Sequence, residues 1–174
     1  MPNVKTHDTI TVCTAPVSTF AGAVFSVQTQ SLVPVLIAPL AHLFAGYMFG
    51  PDLDMYHSRP TQRWGWLAFI WWPYSRLIKH RSFWSHGPLV GTTVRLLYLL
   101  TVCVVSLGPV TWWAYQFLKV NYNISPIPRL LINTSYFFVV LVALELGAAS
   151  HYLADWFGSY RKRQARYAPS KKNR

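Results

Sequence analysis

Apolar and polar positions along this chain fall into long blocks rather than short periods. Ile10–Val27 is apolar but Thr-rich and contains Pro16, and Gln28–Ser31 follows as a short polar hairpin. Leu32–Gly50 carries Pro34, Pro39 and one histidine, His42. Leu96–Leu118 contains no charge, with Arg95 just before it, and Leu130–Ala149 is interrupted only by Asn133 and Glu145. A helix needs about 20 apolar residues to cross a hydrocarbon core at 1.5 Å per residue. The pattern therefore predicts an all-α integral membrane bundle with four transmembrane helices. Between the second and third runs, Trp64, Trp66, Phe69, Trp71, Trp72 and Tyr74 mix with Arg76 and Lys79. That stretch is too short before Pro73 to span. Its indoles suit the headgroup level, so it reads as a Trp-rich interfacial helix.

Composition sharpens this picture. Of 174 residues, 52% are hydrophobic and 12% charged, about half the charge of a soluble domain. Disorder is excluded on the same ground. Sixteen Lys and Arg against five Asp and Glu give a formal charge of +11, and the cations are unevenly placed. Arg59, Arg63, Arg76, Lys79 and Arg81 lie in the 51–87 loop, and Arg161, Lys162, Arg163, Arg166, Lys171, Lys172 and Arg174 lie in the tail. Only Lys119 and Arg129 fall on the opposite side. The positive-inside rule then puts both termini in the cytoplasm. Residues 1–160 read as one membrane-embedded domain and 161–174 as a basic cytoplasmic tail. The tail is suited to anionic lipid; no nucleic-acid fold accompanies it, so no nucleic acid is expected.

Lys5 and the run up to Ala21-Gly22-Ala23 have the outline of a signal peptide. Asp8, the Thr-rich core and the continuation to Val27 favour a retained span. Cys13 and Cys103 lie inside apolar runs without CxxC spacing, and read as small buried apolar residues.

The five acids repay individual inspection. On this topology His7-Asp8, Asp52 with Asp54, His80 with His86, and His151 with Asp155 all fall at the same membrane boundary. His151 and Asp155, at i and i+4, share a helix face and can reach one ion. Two carboxylates as close as Asp52 and Asp54 repel unless a cation or proton lies between them. His80 and His86 need a bend to converge, and Gly87-Pro88 supplies a break. Imidazoles and carboxylates without thiolate suit zinc, manganese or iron, as one or two ions. Arg81 can hold an oxyanion through its planar fork. Glu145 is the one acid inside a run. It lies about 120° around an ideal helix from His151, which disfavours direct ligation beside it but leaves a role as general base or ligand-orienting group. His42, buried in a run, reads first as an interhelical hydrogen-bonding group, and His57 as solvent-facing.

Thr6-His7-Asp8, Pro51-Asp52-Leu53-Asp54, Arg63-Trp64-Gly65, Trp71-Trp72-Pro73-Tyr74, the segment from His80 to His86, and Glu145-Leu146-Gly147 with His151 and Asp155-Trp156 together resemble a family of uncharacterised metal-binding membrane proteins common in cyanobacteria. The resemblance covers nearly the whole chain. It implies His7, Asp52, Asp54, His80, His86, His151 and Asp155 as metal positions; His42 is outside the pattern. More distantly, the order of these segments is similar to bacterial inner-membrane metal-dependent hydrolases of the YdjM type. That likeness alone implies hydrolysis.

Two expectations follow. As an enzyme, the protein would be a zinc-type metal-dependent hydrolase of an amphiphile or phosphate ester at the cytoplasmic membrane face, with Arg81 holding the anion and Glu145 or a non-ligating Asp taking a proton. As a non-enzyme, it would be a metal-stabilised subunit or assembly factor of a larger membrane complex. A closed coordination shell marks the second and an open position the first; the sequence supplies the ligands but not the shell.

Overall fold

The computed structural model describes residues 4–118 and 134–167. All regular structure among them is helical. Helix α1 (Val4–Thr29) turns at Gln30, whose φ is +51°, into α2 (Val33–Tyr47). A 3₁₀ turn at Pro51–Asp54, a single turn α3 (Arg59–Gln62), a second 3₁₀ segment at Gly65–Ile70 and α4 (Trp71–Leu77) form the connection. The single turn α5 (Phe83–His86) leads into α6 (Val90–Leu118), and α7 (Thr134–Tyr167) closes the chain.

Among the described residues, three helices are long and apolar enough to cross a membrane: Lys5–Thr29, Val90–Leu118 and Ser135–Tyr160. The expected second span is the exception. Its apolar run covers Leu32–Gly50, but the helix ends at Tyr47. At 15 residues it is about 22 Å long against a core of about 30 Å. The helix stops because Met48 and Phe49 both bond back to the Phe44 carbonyl, and because Pro51, lacking an N–H, starts a new turn. Phe49 then drops into the core, stacked on Phe44 at 5.6 Å. The expected fourth span began at Leu130; residues 130–133 lie outside the described part, as do Lys119 and Arg129. Helix α7 also runs beyond residue 160 to Tyr167, so the first part of the basic tail continues the helix.

Helices α1, α2 and α7 pack together through small residues. A Cβ on Gly147 would lie 2.3 Å from the His42 carbonyl oxygen, so only glycine permits this approach of α7 to α2. Such closeness is how membrane helices gain packing, because lipid is as apolar as their side chains. His42 is fully buried in that seam, its Nε2 3.0 Å from the Thr11 carbonyl oxygen and 3.1 Å from Thr14 Oγ1. It ties α2 to α1 and lies outside the cluster described below.

The connection is rooted by aromatics. Trp71 and Tyr74 are buried, and Trp71 meets Phe49, Trp64 and Tyr98 at 5.8, 5.2 and 5.6 Å. The expected interfacial helix is thus two-faced: these rings face the core, while Trp66, Phe69 and Trp72 are exposed. Cys13 and Cys103 are also exposed, against the expectation of burial. Both lie on helices long and apolar enough to cross a membrane, on their outward faces.

Candidate metal centre

Antiparallel packing of α1 and α2 puts the start of the first beside the end of the second. His7 and Asp8 therefore meet the Pro51–Asp54 turn, and the middle of α7 brings His151 and Asp155 to the same level. The connection returns from Trp71 to deliver His80, and α5 delivers His86. Residues separated by up to 148 positions come together in two groups. His7, His151 and Asp155 form one; Asp52, His80 and His86 form the other; within each, one potential ligand atom per residue lies within 4.8 Å of the others.

Asp52 joins the groups. Its Oδ2 is 3.2 Å from His151 Nε2 and its Oδ1 is 3.8 Å from His86 Nε2. In the first group His7 Nε2 is 3.5 Å from Asp155 Oδ1, and the His7 and His151 rings lie 4.2 Å apart, tilted by 30°. Asp54 belongs to neither group. Its carboxylate, fully buried, accepts from His80 Nδ1 at 2.9 Å and from the Arg81 backbone N–H at 3.2 Å. Arg81 adopts φ +58° to present that N–H, a conformation uncommon for a residue with a side chain. A carboxylate behind a histidine fixes its tautomer and aims the other nitrogen forward. His86 is held similarly, with Ser85 Oγ 2.8 Å from its Nδ1.

The forward nitrogens lack well-formed hydrogen bonds. Among the described residues, His80 Nε2, His86 Nε2, His151 Nε2 and His7 Nδ1 are buried and make no hydrogen bond of good geometry, although His151 Nε2 and His86 Nε2 face the Asp52 carboxylate. Buried polar atoms are rarely left so, because each forfeits its hydration. Nor would protonating all four resolve this, since imidazolium rings as close as His7 and His151 would repel. A divalent cation accepts lone pairs from such nitrogens and balances the facing carboxylates, so the residues present fit a bound metal ion.

Electrostatics of the cluster point the same way. Burial pushes the Asp52 carboxyl up, but the His151 and His86 imidazoles outweigh it and hold the group below its ordinary value of 3.8. For Asp54 burial is again the largest influence, and hydrogen bonding from His86, His80 and Ser85 overcomes it, with the same net direction. A lowered carboxylate pKa contributes stability that is present above the unfolded value and lost as pH falls through the folded one. Chelated protein should therefore lose melting temperature steeply below about pH 4, as followed by circular dichroism in detergent. Simultaneous replacement by D52N and D54N should flatten that acid limb.

A cavity of about 190 Å³ opens onto the first group. His7, Asp52, His151 and Asp155 line one part of it, and Arg59, Arg63 and Arg81 another. Asp8 also lines it, held by Arg63 Nη2 at 2.7 Å on Oδ2. Neither His80 nor His86 is on its wall. Arg81, read from the sequence as an oxyanion-holding group, is among the residues lining this cavity. Glu145 is directed elsewhere: its Oε1 accepts from the Leu89 N–H at 2.9 Å, at the turn before α6. Arg59, Arg63, Ser85 and Arg95 carry no local signal of a role here, since the first two read as topology charges and the last as a flanking charge. Among them Arg95 is fully buried within α6.

The comparisons agree with this chemistry. The family model described as "Uncharacterized metal-binding protein (DUF2227)" matches residues 2–165. An uncharacterised protein of Aquifex aeolicus (strain VF5) is 40% identical over 60 residues, which cover 34% of this chain and 42% of the relative. The match thus spans less than half of that relative's length. No solved structure matches.

Proposed function

This chain belongs to the DUF2227 family of uncharacterised metal-binding proteins, and from that premise we propose that it is a divalent-metal-dependent hydrolase of phosphate esters carried by membrane amphiphiles. The observation that supports this reading is the shared cavity: the first ligand group and three arginines line one opening. A purely structural ion would need no such opening.

The His7, His151, Asp155 group would hold one ion and the Asp52, His80, His86 group a second, with zinc favoured by the imidazole-rich donors and manganese or iron compatible. Ions so held supply Lewis acidity toward a phosphoryl oxygen and lower the pKa of bound water to about 7. The protein's own groups account for the rest. Arg81 and Arg59 bind the non-bridging phosphoryl oxygens, for which a planar fork is suited. Asp8 is fixed through Oδ2 by Arg63, which leaves Oδ1 to accept the proton from water as the new P–O bond forms, and to return it to the departing alkoxide oxygen as the ester P–O bond breaks, releasing the alcohol. The exposed indoles of Trp66, Trp72 and Trp84 are suited to the headgroup level, so an amphiphile can present its phosphate without leaving the bilayer. On the charge asymmetry of the sequence this face is cytoplasmic, and the basic tail adds attraction for anionic lipid.

The test is phosphate release by the full chain in nanodiscs, with zinc, manganese or iron(II), from phosphatidate and from a soluble chromogenic monoester and diester. Chelator-sensitive turnover is expected. D8N should lower kcat by about 100-fold with full metal content, and R81A should raise KM with little change in kcat. No turnover above that of free metal on any of these esters would reject the hydrolase reading, and would favour the ion as a tie between helix ends in a membrane complex.

A further inference from the structure

Arg95 has no part in the cavity, yet it is 0% exposed and its hydrogen-bond partners include no carboxylate. A buried, unpaired guanidinium is costly, so what it holds is informative. Its Nη1 donates to the Ser85 carbonyl oxygen at 2.9 Å and its Nη2 to Thr92 Oγ1 at 3.1 Å. Its charged carbon lies 5.7 Å from the centroid of the Phe49 ring. The Ser85 hydroxyl in turn meets His86 Nδ1. Gly91, one turn before Arg95 on α6, completes the clamp: a Cβ there would lie 2.4 Å from the same Ser85 carbonyl oxygen and 3.3 Å from Arg95 Nη1. The backbone of α6 is thus pressed against α5, and the guanidinium pins the one carbonyl between them.

Of the six grouped ligands, only His86 is carried on α5. His7 belongs to α1, and His151 and Asp155 to α7, which meets the guanidinium only through the Tyr152 hydroxyl; on the near side the guanidinium also faces the Tyr74 hydroxyl. We propose that Arg95 is a positioning residue chiefly for the second ion: with Gly91 it docks α5 through the Ser85 carbonyl so that His86 presents Nε2 toward Asp52 and His80. A positive charge placed there to balance carboxylates would be expected on a carboxylate; this one is on a carbonyl, which makes its task geometric. The inference rests on the two-ion reading above.

The experiment is a cobalt(II) titration of chelated full-length protein in detergent, read by visible absorption and by metal content after dialysis. Wild type is expected to take up two ions. R95K keeps the charge but loses the two-pronged grip, and is expected to weaken the second ion by 10- to 100-fold and the first by less than threefold, with unchanged helix content. G91A keeps the guanidinium and displaces the Ser85 carbonyl, so it carries the same expectation should R95K fail to fold. Two ions bound at wild-type affinity in both variants, or both ions weakened equally, would overturn the clamp while sparing the two-ion centre. A wild type that takes up a single ion would overturn the two-ion reading and the clamp with it.

Discussion

Replacing Asp52 with alanine should empty the centre of metal. Its two oxygens face His151 at 3.2 Å and His86 at 3.8 Å, so one carboxylate serves both ligand groups. Loss of an outer-shell partner already costs about 10- to 100-fold in metal affinity, and a ligand shared by two ions should cost at least about 100-fold for each. Gently purified D52A should then carry less than a tenth of the wild-type metal by elemental analysis. The fold should survive, because Asp52 lies at the mouth of the cluster and packs no helix seam. D52N is the sharper probe, keeping shape and one acceptor while removing the charge that balances the cations. Wild-type metal content in both variants would sink the idea that Asp52 bridges the groups.

The second large effect is expected far from any charge. Gly147→Val would put a branched side chain where a Cβ alone is 2.3 Å from the His42 carbonyl oxygen and 2.7 Å from the Ala45 Cβ. Neither neighbour is a flexible side-chain end, so α7 must move away from α2. Overpacking of this kind costs about 1–3 kcal/mol and sometimes more; with a backbone carbonyl as the obstacle, about 3 kcal/mol is expected. The measurement is unfolding in mixed detergent. Because His151 lies one turn beyond Gly147, the same shift should weaken the first ion. H42F tests the seam from the other side, and should lower stability while leaving metal content intact. A G147V protein as stable as wild type would mean that α2 and α7 do not meet as described.

Much of the candidate site was legible before any coordinates. Five acids in a chain of this kind stand out, and four of them lie beside histidines. Yet the sequence treats Asp52 and Asp54 alike, as neighbours on one turn. Only the fold separates them: Asp54 turns inward behind His80 and His86, while Asp52 faces one imidazole from each ligand group, His86 and His151. Glu145 shows the converse. Its place in an apolar run suggests chemistry, but the left-handed Leu89 (φ +62°) offers it a backbone N–H, and no local pattern announces such a partner 56 residues away. Arg95 reads as a charge flanking a span because burial is a property of neighbours, here Phe49, Ser85 and Thr92, rather than of the residue. The second apolar run misleads on length for the same reason: hydropathy counts Met48, Phe49 and Gly50 as span, although their backbone has left the helix.

The sequence by itself pointed to a helical chain with segments apolar enough to cross a membrane, to the residue types that could hold an ion, and to the one level at which they gather. These follow from composition and from spacing along single helices, both local quantities. Tertiary structure decided which ligands share a group, which carboxylate only supports a histidine, and which arginines reach the cavity. It did so because the antiparallel α1–α2 pair, the Gly147 approach and the Arg95 clamp fix distances between residues that no spacing along one chain can encode.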